Sequence, residues 1–134
     1  MSGKDVVRRY YELVETPDRL DEVCAPDIKG HAGASADDLA GFKAGQLSFQ
    51  ESFPGLRADI HDLVEEGDLV STWVTYTATH RGEFAGVPAT GRDIRIMGWD
   101  LMRVREGKIV EITSMCDLFT LMNQIGALPT AAPA

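Results

Sequence analysis

The chain has 134 residues, with 13 basic against 21 acidic side chains, a net charge of −8 and a pI of about 4.7. That length is one domain's worth and can bury a substantial core without metal or disulfide staples. The acidic balance makes nucleic acid and anionic membranes unfavourable partners, so neither is expected. The two cysteines, Cys24 and Cys116, have no CxxC spacing; they indicate neither a disulfide framework nor a zinc site and fit a reducing cytoplasm. Met1 to Asp5 carry no apolar leader and no segment approaches bilayer length, so a soluble protein of the cytoplasm is expected.

Ser2 is placed to cap a first helix in which Val6, Val7, Tyr10, Leu13 and Val14 recur at helical spacing. Thr16-Pro17-Asp18 starts a short second helix through Leu20 and Val23 that must stop near Pro26, and residues 27–31 suit a brief strand. Ser35-Ala36-Asp37-Asp38 resembles a capping box and opens a third helix, ending at Phe53-Pro54, with Leu39, Phe42, Gln46, Phe49 and Phe53 as its inward stripe.

From Leu56 the period changes. β-branched and aromatic residues dominate 56–64, 69–80 and 91–104, with a shorter run at 109–117. Glu65-Glu66-Gly67-Asp68 and Arg105-Glu106-Gly107-Lys108 are hairpin signals, whereas Gly82 to Gly91 reads as a longer loop. A last helix follows Asp117. The Ala/Pro-rich segment 129–134 is expected to be a disordered tail beyond a single domain over 1–128. Helices followed by a meander of long strands give an α+β fold, a curved antiparallel sheet wrapped around N-terminal helices with a conical cavity between them.

The hairpin at Gly107 predicts which polar residues share a face. A two- or four-residue loop pairs Arg105 with Lys108 and Val104 with Ile109, so Asp117 would face Ile96 and Thr113 would face Asp100. Ile96, Gly98, Asp100, Thr113, Met115 and Asp117 would then line one surface; Met97, Trp99, Leu101, Ile112 and Cys116 would line the other. Two carboxylates on an apolar wall, with a glycine beside them leaving space for a ligand, form the best site signal.

A carboxylate in an apolar pocket is desolvated, its pKa rises, and it suits proton exchange with a weak carbon or oxygen acid. Asp117 fits that role, although by spacing alone the N-cap of the final helix is the default reading for it. Asp100 is read either as its partner or as a satisfied structural carboxylate. Gln46 interrupts an apolar stripe and invites a hydrogen bond to a ligand. His31 and His80 are of the residue type used to move protons, and His61 belongs to an exposed strand face. Tyr10 and Tyr11 point different ways, so one of them reaches the cavity. No histidine pair has metal-ligand spacing, and no metal is expected.

Phe53-Pro54-Gly55-Leu56, Leu63 to Asp68, Thr79-His80-Arg81-Gly82-Glu83-Phe84-Ala85-Gly86-Val87-Pro88-Ala89-Thr90-Gly91-Arg92, Gly107-Lys108-Ile109-Val110-Glu111, Asp117 and Gln124-Ile125-Gly126 follow one another in the order of the SnoaL-like polyketide cyclases. The chain resembles that family from Tyr10 to Gly126. The resemblance implies the cone-shaped fold of nuclear transport factor 2-like, ketosteroid-isomerase-like proteins, usually dimeric. It also implies an intramolecular aldol closure of a polyketide-type small molecule, with Asp117 as acid/base and no cofactor. Asp100 and His31 are expected beside Asp117 in the catalytic group. Tyr11, Gln46, Phe49, Trp73, His80, Ile96, Thr113 and Met115 are expected to contact substrate. This chain departs from the pattern where Ile112-Thr113 follow Glu111 in place of the family's His-Trp, and where Trp73 stands at a frequent arginine.

The alternatives are another proton-transfer enzyme of this fold, an isomerase or an epoxide-opening cyclase, and a non-catalytic small-molecule-binding dimer. Epoxide opening needs an Asp-Arg-Asp group, whereas Arg95, Arg103 and Arg105 point away from Asp117 in the expected register. Met97, Trp99 and Leu101 on the opposite sheet face call for a cover, and a homodimer is expected across it.

Overall fold

The computed structural model describes residues 2–127. The expected tail, 129–134, lies outside them. Helix α1 (Gly3–Glu12) starts with a reciprocal capping box: Ser2 Oγ accepts from the Asp5 amide at 3.2 Å, and Asp5 accepts from the Ser2 amide at 3.1 Å. Its apolar face, Val6, Val7, Tyr10 and Tyr11, is buried against the sheet. A short 3₁₀ helix (Pro17–Glu22) carries proline at its first position.

Strand β1 (Cys24–Ala32) runs longer than the sequence predicts and includes Pro26. A register shift between Cys24 and Lys29 absorbs the proline, whose missing N–H is tolerated at an irregular edge. Helix α2 (Leu39–Ser52) begins later than Ser35 suggests, because Asp38 is its cap, accepting from the Gly41 amide at 2.8 Å. Ala36 is instead tied to Gly30 by two backbone hydrogen bonds, which hold the segment extended. The helix ends at Phe53 as expected.

Strands β2 (Arg57–Glu66), β3 (Leu69–Thr79), β4 (Asp93–Arg105) and β5 (Lys108–Cys116) form an antiparallel meander, followed by α3 (Leu118–Gln124). The sheet order is β1-β5-β4-β3-β2, so the meander is antiparallel as predicted while β1 joins β5 in parallel. The sheet is curved and unclosed, with the helices against its concave face. Val6, Val7, Leu13, Ile28, Phe42, Val70 and Met102 make the main core, and Phe53, Ile94, Ile96, Leu121 and Ile125 a second cluster at the α3 end.

One irregularity corrects the expected register. Arg105 pairs with Lys108 and Val104 with Ile109, but Arg103 pairs with Glu111, so Val110 is an extra residue bulged out of β5. Every later pair is displaced by one position: Asp100 faces Ser114, not Thr113, and Trp99 faces Met115. A shift of one turns each β5 side chain to the other face.

Candidate active site

Along β4 the even positions are inward, burying Ile94, Ile96, Gly98, Asp100 and Met102, while the odd positions are exposed or half-buried. Asp100 therefore projects into the cone, where it is 3% exposed. The Tyr11 hydroxyl, delivered by α1, donates to its Oδ2 and lies 2.6 Å from Thr72 Oγ1 on β3. Each hydroxyl has one proton, so when Tyr11 donates to Asp100 it is Thr72 that donates to Tyr11. From β3 as well, the Tyr76 hydroxyl donates to the same Oδ2 at 3.4 Å. Ser114 completes the ring from β5, facing Asp100 across the strand pair from the position the bulge creates.

Burial pushes Asp100 above the ordinary 3.8 of its carboxyl, against the pull of hydrogen bonds from Ser114, Tyr11 and Tyr76, and no cation contributes. Tyr11 and Tyr76 are also driven up, first by burial and then by the nearby Asp100 charge, so both stay protonated donors. The cluster is a desolvated carboxyl surrounded by hydroxyls.

In front of it lies a cavity of about 160 Å³, walled by Tyr76 and Ser114 together with Gln46, Phe49, Ile96 and Cys116. Asp100 sits one layer behind that wall, touching both Tyr76 and Ser114. Val14 and Leu56 close one side, and Gly33 and Gly45 stand at the solvent-exposed rim. The gap expected beside Gly98 holds no ligand space, because the Tyr76 ring lies in it.

Of the residues singled out from sequence, Asp100 and Tyr11 meet in this cluster, and Gln46, Phe49 and Ile96 line the cavity. Tyr10 packs in the core, stacked on Phe42 at 6.3 Å. Thr113 and Met115 are turned to the outer face by the Val110 bulge and do not line the cavity. Trp73 is also on the outer face, parallel to Trp99 with centroids 5.8 Å apart, its Nε1 donating to Met97 Sδ at 3.3 Å. His31 stands outside the cone because its neighbour Gly30, paired with Ile112, takes the inward position; its Nε2 lies 3.0 Å from Glu111, at the end of an ion-pair chain through Arg103 and Asp68.

His80 is fully buried beside the second core cluster, stacked on Phe53 at 5.2 Å. Its Nδ1 accepts the Thr90 amide at 3.2 Å, closing the loop after β3, and Nε2 has no partner among the described residues. His61 bonds Thr75 Oγ1 at 2.5 Å beside Trp73.

Asp117 is the N-cap of α3. Its Oδ1 accepts the Thr120 amide at 3.0 Å and its Oδ2 the Thr120 hydroxyl at 2.5 Å, and these bonds hold its pKa below the ordinary carboxylate value. Thr72, Tyr76 and Ser114 went unnoticed in the sequence. The available signal was parity: Thr72 and Tyr76 share the inward face of β3 with Val70 and Val74. Among the described residues no group of three or more metal-ligating side chains occurs, and no helix is long and apolar enough to cross a membrane.

Comparison with known proteins places the chain. A family model described as SnoaL-like polyketide cyclase matches residues 4–125. IdmH of Streptomyces antibioticus, a candidate polyketide cyclase, is 32% identical, with 94% of this chain and 99% of that one covered at a TM-score of 0.82. AclR of Streptomyces galilaeus, a candidate hydroxylase, is 27% identical over 96% and 100% of the two chains at a TM-score of 0.78. TsrD of Streptomyces laurentii shares the fold at a TM-score of 0.84 and 24% identity, over 93% and 95% of the chains. No curated protein matches.

Proposed function

We propose, from the premise that this chain belongs to the SnoaL-like polyketide cyclase family, that it closes a ring within a polyketide-type small molecule by proton transfer, with Asp100 taking and returning the proton. The observation that carries this reading is the desolvated Asp100 carboxyl, raised in pKa by burial and joined through Tyr76 and Ser114 to the cavity wall. A carboxylate with a raised pKa is a stronger base, better matched to an activated methylene at neutral pH.

In the proposed reaction Asp100 accepts a proton, through the Ser114 hydroxyl, from a methylene between two carbonyls. The C–H electron pair becomes an enolate, whose carbon attacks a carbonyl of the same molecule. The new alkoxide takes the proton back from Asp100, so substrate and product are isomers and the chemistry calls for no cofactor. Gln46 donates to the oxygens on which charge develops. Proton transfer of this kind contributes about 10²–10⁴-fold, and holding the two ends of one molecule together contributes up to about 7–11 kcal/mol.

The family motif assigns the acid/base role to Asp117 instead. Its two oxygens are engaged by Thr120 and its pKa is lowered, which makes it the weaker base, so we give the role to Asp100. The test is mass-spectrometric product analysis on a panel of β-keto ester polyketides, with Asp100→Asn and Asp117→Asn beside wild type. Loss of the cyclised isomer in Asp100→Asn alone is the expected result. Loss in Asp117→Asn alone returns the role to the motif position, and ligand binding without product in any of the three makes the protein a binding module.

A second reading is ketone isomerisation, in which the same buried carboxyl moves a proton by way of the hydroxyls of the cavity wall. Epoxide opening loses support because Arg95, Arg103 and Arg105 occupy outward positions of β4.

We also infer a homodimer across the outer sheet face. Trp99, Leu101 and Met115 are 48%, 44% and 60% exposed there, and the parallel Trp73–Trp99 pair makes a flat apolar surface of a kind monomers rarely leave open. The free thiols of Cys24 and Cys116 fit work in the cytoplasm.

A further inference from the structure

Phe49 stands between two hollows. On one side is the inner cavity of about 160 Å³; on the other is a cleft of about 300 Å³ between α2 and the loop after β3, and Gly45 and Phe49 line both. Pockets that take ligands of drug size span about 300–1,000 Å³. The inner cavity is well short of that range and the cleft only reaches its lower limit, whereas the two joined fall inside it.

What divides them is one half-buried ring. Phe49 lies 4.9 Å from Phe53 and meets Phe84 edge-on at 5.8 Å, contacts a rotated ring can exchange for those of a flat ligand. Gly45, one turn earlier on α2, offers no side chain, and a Cβ there would find no atom within 4 Å. Position 45 therefore leaves open space on α2 one turn before the ring.

We propose that the inner cavity and the outer cleft are two halves of one substrate channel, with Phe49 as the movable partition between them, and that the substrate is an extended or fused-ring molecule spanning both. The proposal rests on the cyclase reading of the inner cavity. The reacting carbonyls lie by Ser114 and Tyr76, and the far end of the molecule lies between Ser48 and Phe84. Aromatic walls at Phe49 and Phe84 suit flat, unsaturated rings. Phe49 and Ser48 then select for length, while the chemistry stays with Asp100.

Ser48 is exposed on α2 and lines the outer cleft but not the inner cavity, so Ser48→Phe fills the outer half alone. Wild type and Ser48→Phe, each checked by thermal melting, are titrated calorimetrically with phenol and with 1,8-dihydroxyanthraquinone. Alkylation of Cys116 by iodoacetamide reports on the inner half, since its thiol lines that cavity while Cys24 is buried with its pKa pushed up to about 12. The expected result is that Ser48→Phe weakens the three-ring probe by about tenfold or more and phenol by less than about twofold, with phenol shielding Cys116 in both proteins. Equal affinity of both proteins for the three-ring probe overturns the channel while the inner site stands, provided phenol shields Cys116. If neither probe binds wild type or shields Cys116, the cyclase reading itself falls and the channel with it.

Discussion

The ring of Tyr76 occupies the room that a side chain on Gly98 would need, since a Cβ on Gly98 would lie 2.7 Å from Tyr76 Cε2. The glycine lets one of the two tyrosines lie flat against β4 with its hydroxyl on Asp100. Gly98→Ala must push that ring aside, and overpacking of this kind costs about 1–3 kcal/mol. Urea unfolding should show the loss, and it should shrink in a Tyr76→Ala background, where the collision is gone. Equal costs in the two backgrounds would mean that the ring already yields freely.

Asp100 gives the stability of the protein a distinctive pH dependence. Its folded pKa is raised, so its favourable contribution is complete below the ordinary 3.8 and is lost as pH rises through the folded value. Asp100→Asn imitates the protonated acid. Its melting temperature relative to wild type should therefore climb over the interval from the ordinary 3.8 upward through the folded value. A difference that stays flat across that interval would contradict a protonation shift at this residue.

Asp117 should behave in the opposite way. Its lowered pKa means that its contribution is present above the unfolded value and fades as acid protonates it. Asparagine caps helices about as well as aspartate, so Asp117→Asn keeps α3, whereas Asp117→Ala frays it. Hydrogen exchange at the Thr120 and Leu121 amides should separate the two variants at neutral pH.

On the outer face, Trp99→Glu or Leu101→Glu places a charge in the middle of the apolar surface. Light scattering at micromolar concentration should report a dimer mass for wild type and a monomer mass for either variant. A wild-type monomer would remove the need for a second copy there.

The α+β order, the hairpins and the inward stripe of α2 were legible because each rests on a local signal: a period, a cap or a turn residue. The facing of β5 was not. Ile109, Val110 and Ile112 are apolar on both parities, so nothing in the pattern marks Val110 as the residue that drops out of step. One bulge exchanged Thr113 and Met115 for Ser114 and Cys116 on the cavity wall. Trp73 was expected against substrate from the resemblance, where it stands at a frequent arginine, yet it opposes Trp99, and both take the odd, outward parity. The inward facing of Asp100 was legible because β4 alternates cleanly from Asp93 to Met102.

Strand β1 reaches its neighbour β5 across most of the chain, while β2 to β5 close through successive antiparallel connections. Pairing of such distant segments carries the largest loop-closure entropy and is slow to nucleate. The meander can therefore form as a unit before the edge strand zips onto it. The rim at Gly33 follows directly from that strand, so the mouth of the cavity is completed only by the last pairing to form. A refolding chain would then bring Asp100, Tyr76 and Ser114 together in the meander before the rim at Gly33 closes over them.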